Sequence, residues 1–548
     1  MKRLLIIALL IFIFLNSKAQ GWQDTTRMID HFFDRYQPNN PGCQLSISRN
    51  GKLVYSRAWG LADLERHAPY TAETITEAGS ITKQFTAAAV LLLEQQGKLS
   101  LNDDVRKYVP ELPNYGTVIR LRHLLHHTSG IREWSDLEAI TGWPRTTKAY
   151  TNEDVLDMLY HQKGLNNKPG AEYIYSNSNY LLLTLIIERV SGMRLPDFTK
   201  KYIFEPAGMT HSSWRDDFKR VVPNRGIAYI KKNGRYEINM PNENVYGPGA
   251  LLTTTEDLLK WTNFILSNKL GTPGLLAKQL ALDPLPNGEA IYAAGLFIGK
   301  YRGYDIISHT GQTAGYVGVV ESLPALNLSA AWLSNTTESS DSLYVGINKI
   351  DNLFIKDAPA ITTEKSAKAP VGSILQAKKH VGWYRDARNN QGIQMTLKHD
   401  TLLLDKTPLI PINETTFKYL ESTIKFYPAG GFMLNTADKR KLAFTKEPEA
   451  KTTFHDLRTI AGKYYSAETE SGFTIMLEED KLTLVKNYLK DVSLIPTYKN
   501  AFNFSLNVDS DMTPVEANIL FKRNSKGNVT GCQVSMNDAR GIKFVKVN

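Results

Sequence analysis

The chain is poor in cysteine: Cys43 and Cys532 are the only two in 548 residues. A pair so widely spaced forms neither a disulfide framework, nor a zinc site, nor a cysteine-nucleophile motif. It reads as two separate buried side chains even in an exported protein. Basic blocks are missing as well. The formal net charge is +10 at pH 7, and Lys2, Arg3 and Lys18 of that total fall within the first twenty residues. The remainder is a mildly basic surface without a Lys/Arg stripe interleaved with aromatics, which excludes nucleic acid as a partner. Beyond the N-terminus no apolar run is long enough to cross a bilayer. With 42% hydrophobic and 22% charged residues the chain is not a disordered one. Its length exceeds what a single core serves, so several domains are expected.

The one long apolar run is N-terminal. Lys2 and Arg3 precede residues 4–15, and Ser17-Lys18-Ala19 places small residues at −3 and −1 of a cleavage site. Residues 1–19 read as a signal peptide cut after Ala19, which predicts a periplasmic or secreted protein with no stable membrane insertion after cleavage.

Residues 20–356 mix helix and strand signals. A short helix over 25–36 precedes a hairpin over 43–60, turned at Asn50-Gly51. A largely helical stretch then runs to about Gly192. Strand patterns return at 293–298, 304–308, 316–322 and 328–333. A sheet built from both ends of this stretch with helices inserted between gives an α+β domain. Residues 357–375, rich in Ala, Pro, Lys and Thr, read as a linker. Helix signals then vanish, and short alternating segments predict two small all-β, barrel-like modules, 376–447 and 457–548, joined by 448–456. They repeat each other: Gly382-Trp383-Tyr384 matches Gly462-Lys463-Tyr464, 393–397 matches 473–477, and Leu442-Ala443-Phe444 matches Ile542-Lys543-Phe544.

Chemistry concentrates at Ser80-Ile81-Thr82-Lys83. Three residues apart on a helix, a hydroxyl and an amine share one face and can hydrogen-bond, giving a candidate nucleophile beside a candidate base. The apolar residues Ile81, Phe85, Ala88, Ala89, Leu92 and Leu93 follow at helical spacing, and Gly97 ends the run. The same pattern recurs at Ser422-Thr423-Ile424-Lys425, but among Thr, Phe and Tyr in a strand context, where positions three apart face opposite ways. Downstream of Ser80, Tyr175-Ser176-Asn177 sits between a Pro-Gly turn and a helix, offering a phenol and an amide; Tyr-x-Asn also recurs at 498–500, so alone it is weak. His309-Thr310-Gly311 follows a strand; the glycine admits a substrate backbone, and the Gln312 N–H could join that of Ser80 in an oxyanion hole.

In order, Ser-x-x-Lys, Tyr-x-Asn and His-Thr-Gly resemble the penicillin-recognising serine enzymes: class C β-lactamases, DD-carboxypeptidases, D-aminopeptidases and related esterases. Residues 78–86, 121–130, 175–180 and 249–254 are similar to that family too, and the resemblance covers about 25–350. It implies a β-lactamase/transpeptidase-like domain with Ser80, Lys83, Tyr175 and His309 as catalytic residues, in which Ser80 forms an acyl-enzyme, Lys83 and Tyr175 share the base role, and Asn177, Thr310, Gly311 and Gln312 hold substrate. His309 stands where many members carry lysine, so an unperturbed side chain there is charged only below about pH 6.5. This departure counts against efficient β-lactam hydrolysis. The sequence leaves open which of Lys83 and Tyr175 takes the proton. The expected substrate is a short D-amino-acid peptide, an amide or an ester, with cell-wall peptides in view. A carboxylesterase of the same family is the alternative, and a non-catalytic envelope-binding protein the alternative of another class. No cofactor and no metal are expected: His123, His126 and His127 have ligand spacing, but no acidic or cysteine partners complete a site.

Overall fold

The computed structural model describes residues 23–142, 148–288, 290, 292–338, 350–355, 378–428, 430–436, 440–450, 453–486, 489–506 and 514–547. The segments read as a signal peptide, 1–19, and as a linker, 357–375, lie outside the described residues. Among the described residues no helix is long and apolar enough to cross a membrane.

The described residues up to Ile355 form a mixed α/β domain built on a six-stranded antiparallel sheet. Its strands are β1 (Cys43–Arg49), β2 (Lys52–Trp59), β3 (Phe297–Tyr301), β4 (Tyr304–Thr313), β5 (Tyr316–Leu323) and β6 (Leu328–Ser334), in the order β3-β4-β5-β6-β1-β2. Both ends of the domain therefore meet in one sheet, with Ile47 opposite Ala330 across the β1–β6 seam. The β1–β2 turn has positive φ at Asn50 and Gly51, as a two-residue type I′ hairpin requires.

Strand alternation gives the sheet two buried faces. Leu45, Ile47, Val317, Val319, Ala330 and Trp332 pack with Ile29, Phe33 and Tyr36 of the N-terminal helical segment and with Ile350 and Ile355. The other face contributes Val320, Ala331 and Leu333 to the main core, which holds α1 (Lys83–Gln95). Every residue of α1 from Lys83 to Leu93 is buried, so it is a central helix wrapped by others. Around it lie α2 (Trp134–Thr141), α3 (Asn152–Tyr160), α4 (Asn177–Ser191) and α5 (Thr255–Leu266). The Thr151 capping box starts α3, and left-handed Gly192 ends α4.

One difference from the sequence pattern matters for the site. The strand pattern predicts an end at Ser308, whereas β4 runs on to Thr313 and carries His309, Thr310, Gly311 and Gln312 within it. Gly311 allows this. A Cβ there would lie 1.9 Å from the Ala78 carbonyl oxygen and 3.0 Å from the Ser80 nitrogen, so only glycine lets the strand lie against the Ser80 turn.

The rest of the described chain forms two nine-stranded antiparallel sheets, each curled into a nearly closed barrel, with a helix over Phe454–Ile460, capped by Thr453, between them where the sequence pattern predicts none. The first comprises strands from Gly382–Asp386 to Lys441–Glu447, and the second from Gly462–Ser466 to Ile542–Val547. Both connect their strands in the same permuted order, the structural form of the sequence repeat. Tyr384 donates its hydroxyl to the His380 carbonyl at 2.9 Å, and Tyr464 donates to that of Ile460 at 2.5 Å. Cys43 and Cys532 are buried, free thiols.

Candidate active site

Ser80 lies in a short 3₁₀ turn, Gly79–Thr82, that leads directly into α1. The turn is pinned on two sides. The Ala78 N–H donates to the Leu251 carbonyl at 2.8 Å, and the Leu251 N–H donates to Thr82 Oγ1 at 3.2 Å. On the other side β4 runs past it: Gly79 has φ +52°, and a Cβ there would meet the Gln312 nitrogen at 2.6 Å. The backbone nitrogens of Ser80 and Gln312 are thus brought beside one another.

Lys83, one turn further on, is fully buried, and its ammonium has three acceptors: Ser80 Oγ at 3.1 Å, Asn177 Oδ1 at 2.7 Å and the Pro248 carbonyl at 2.8 Å. It also sits over the Tyr175 ring, 4.7 Å from the centroid. Burial drives its pKa down from the usual lysine value to about 7, with the negative charge of Glu133 opposing. The Tyr175 phenol moves the other way. Burial raises its pKa well above the usual value, a hydrogen bond with Ser80 opposes, and Glu133 adds to the rise.

Asn177 is the first residue of α4. It is held by Glu133, the residue just before α2: Asn177 Nδ2 donates to Glu133 Oε1 at 3.0 Å, and Ser176 Oγ donates to Oε2 at 3.0 Å. Glu133 thus orients the amide that orients the lysine. Sequence reasoning missed it. The available signal was an acid at the mouth of a helix, a common N-terminal feature that does not by itself suggest chemistry.

Ser80, Asn177 and Gln312 line one cleft of about 200 Å³, together with Trp134, Ser135, Val245 and the Glu77–Arg215 pair. In that buried pair Arg215 Nε donates to Glu77 Oε2 at 2.8 Å. Lys83, Tyr175 and His309 lie beneath this lining and not on it. The His309 ring is buried behind Tyr175, with Nδ1 2.6 Å from the Thr310 carbonyl and Nε2 2.9 Å from the Tyr292 hydroxyl. Burial, reinforced by repulsion from Lys83, holds its pKa down to about 3, so the imidazole is neutral, with Nδ1–H donating and Nε2 accepting. His123, His126 and His127 face separate partners: the Arg120 N–H, the Tyr292 carbonyl and the Ser176 N–H.

A nucleophile-and-lysine turn at the start of a buried helix, facing a sheet edge across a cleft, defines a serine hydrolase of the Ser-x-x-Lys class. The chain belongs to the Beta-lactamase family, whose pattern it matches over residues 26–349. It is 29% identical over 400 residues to Penicillin-binding protein 4* of Bacillus subtilis (strain 168), covering 68% of this chain and 86% of that one. It is 30% identical over 324 residues to Protein flp of Staphylococcus aureus (strain N315), covering 57% of this chain and 63% of that one. Among solved structures, the octameric penicillin-binding protein homologue from Pyrococcus abyssi superposes with a TM-score of 0.54 at 23% identity, over 85% of this chain and 98% of that one. The D-amino acid amidase of Ochrobactrum anthropi SV3 superposes with a TM-score of 0.51 at 20% identity, over 60% and 98%. Likenesses at this identity concern the fold.

Proposed function

We propose that this chain is a secreted serine hydrolase that forms an acyl-enzyme at Ser80, acting on D-amino-acid amides and short peptides, or on small esters. The observation that carries the reading is the Lys83 amine held 3.1 Å from the Ser80 hydroxyl in a buried site. With its pKa near 7, Lys83 is deprotonated in a large fraction of molecules at neutral pH and can take the serine proton as Oγ attacks the carbonyl carbon. The Ser80 and Gln312 N–H groups would receive the oxyanion. Tyr175, kept protonated by its raised pKa, suits the donor role: it gives its proton to the leaving amine or alkoxide and regains one from the Lys83 ammonium. Water then repeats the cycle on the acyl-enzyme. This division of labour makes Lys83 the base and Tyr175 the relay.

His309 supports the substrate class. Neutral, buried and hydrogen-bonded to Tyr292, it offers no fixed cation for a substrate carboxylate. That favours amides and esters without a carboxylate at this position over D-Ala-D-Ala termini and β-lactams. The leader pattern supports export, and a cell-wall compartment supplies D-amino-acid compounds.

Fluorophosphonate labelling should be lost in Ser80→Ala; labelling that survives would reject Ser80 as nucleophile. The purified enzyme should turn over D-alanine amide and p-nitrophenyl esters faster than nitrocefin. No burst and no turnover on any of them would favour the envelope-binding alternative. The pH profile of kcat/KM in the free enzyme should rise through about pH 7 as Lys83 loses its proton. A flat profile between pH 6 and 8 would remove Lys83 from the base role.

A further inference from the structure

The second barrel reaches the site. Its 536–541 turn, closed by the Met536 N–H donating to the Ala539 carbonyl at 2.9 Å, lies against the two segments that carry the catalytic groups. The Asp538 carbonyl accepts from the Glu133 N–H at 2.9 Å and from Asn166 Nδ2 at 2.7 Å. The Asp538 N–H donates to Asp136 Oδ2 at 3.0 Å, and the Arg540 N–H donates to Asn166 Oδ1 at 2.7 Å. The Arg540 guanidinium grips Glu172 with both forks, at 2.9 and 3.1 Å. A second turn of the same barrel supplies Glu468, which forms a buried ion pair with Arg132 and accepts from the Lys163 N–H at 3.0 Å.

Glu133 holds Asn177, and Asn177 holds Lys83. Glu172 stands three residues before Tyr175. Both segments are connections between helices, and connections hold a geometry only as well as their surroundings fix it. Here much of the fixing comes from a part of the chain more than 360 residues further on.

We infer that Asp538 and Arg540 of the second barrel are positioning residues for the Ser80 site, acting through Glu133 and Glu172, so that this barrel belongs to the catalytic unit and is not a tethered binding module. The inference rests on the reading that Ser80 is acylated. Arg388 of the first barrel adds a single weaker contact to Glu172, at 3.3 Å.

The test uses the full chain and two readouts: labelling of Ser80 by a fluorophosphonate, and the rate of acylation, kcat and KM with a p-nitrophenyl ester. Ser80→Ala comes first: undiminished labelling there rejects the nucleophile and with it both readings, before any barrel variant is compared. With Ser80 established, Arg540→Gln should slow acylation about tenfold or more, since small misplacements remote from the chemistry can cost ~100-fold. The loss should fall on kcat with KM nearly unchanged, and Arg540→Lys should recover part of it. Glu172→Gln should cost about as much, and the double variant no more than either alone, because the two act as one unit. Val545→Thr, on the exposed face of the same barrel, should acylate at the wild-type rate. A folded Arg540→Gln variant with wild-type acylation, or additive losses in the double variant, would overturn the inference. If Arg540→Gln does not fold, Glu172→Gln decides alone: slower acylation with native circular dichroism supports the inference, and unchanged acylation ends it.

Discussion

The two barrels have the same strand order and matching tyrosine anchors, yet they sit in the molecule differently. The first has a closed core of its own, in which Tyr384, Met395, Phe417, Phe426, Phe432 and Phe444 pack on one another. The second barrel's Tyr464, Phe473, Phe504, Phe521 and Phe544 belong to one continuous apolar cluster with α1, α2 and α4. Its polar contacts follow the same division, since Glu468, Asp538 and Arg540 all bond to the catalytic domain. Duplication supplied two copies of one fold; a few side chains on two turns made one of them part of the hydrolase. A barrel fold by itself therefore says nothing about whether a module binds, spaces or braces.

Core truncation should break the comparison open most widely. Phe432 and Phe504 are both buried in barrel interiors. Replacing either by alanine should cost about 3–5 kcal/mol. Phe432→Ala should loosen the first barrel and leave acylation of Ser80 at the wild-type rate. Phe504→Ala should lower acylation along with stability, seen by running thermal unfolding and labelling on the same samples. Equal effects of the two on acylation would erase the distinction.

Ion pairs give a smaller contrast. Arg132 and Glu468 are only 4% and 5% exposed, so Glu468→Ala strands a buried guanidinium and should cost about 3 kcal/mol by chemical denaturation. Arg388 is 25% exposed, pairs with Asp386 of its own barrel at 2.6 Å and lies 3.3 Å from Glu172, so its coupling to Glu172 in an Arg388→Ala/Glu172→Ala cycle should be under about 1 kcal/mol. A coupling between Arg388 and Glu172 as large as the loss at Glu468 would mean that the first barrel is docked as firmly as the second.

The sequence displayed the site's chemical groups better than their supports. Ser80 and Lys83 were legible because a helix converts a three-residue spacing into a contact. Tyr175 and Asn177 were legible as a polar pair on a turn before a capped helix. Glu133 was not, because its role depends on a contact 44 residues away that no periodicity encodes. His309 was legible as a residue and not as an environment. Its neutrality comes from burial behind Tyr175 and Tyr292, which only the packing of β4 reveals. The barrels were legible as repeats because their strands alternate and their motifs recur. Their unequal docking rests on single side chains such as Arg540, which in sequence looks like any other surface arginine.

The smallest predicted effect concerns protons at the docked turn. Asp136 is buried and Asp538 half-buried beside Glu133; burial and repulsion from Asp538 and Glu133 push Asp136 up to about 8, and desolvation and repulsion from Glu133 push Asp538 up to about 7. Arg540 and Arg440 oppose this at Asp538, while Glu133 and Glu172 add to it. In the unfolded chain both acids would ionise near pH 4. Between that pH and about 8 the folded protein binds more protons than the unfolded one, so its stability falls as pH rises through this window. Asp538→Asn keeps this position neutral at every pH. Its unfolding temperature should therefore decline less between pH 5 and 8.5 than that of the wild type, by on the order of 1 kcal/mol or about 2–4 °C. Phe432→Ala, in the other barrel, should keep the wild-type slope. Parallel curves for Asp538→Asn and wild type would show that Asp538 is already ionised in the folded state, and that the turn is held by its backbone hydrogen bonds and Arg540.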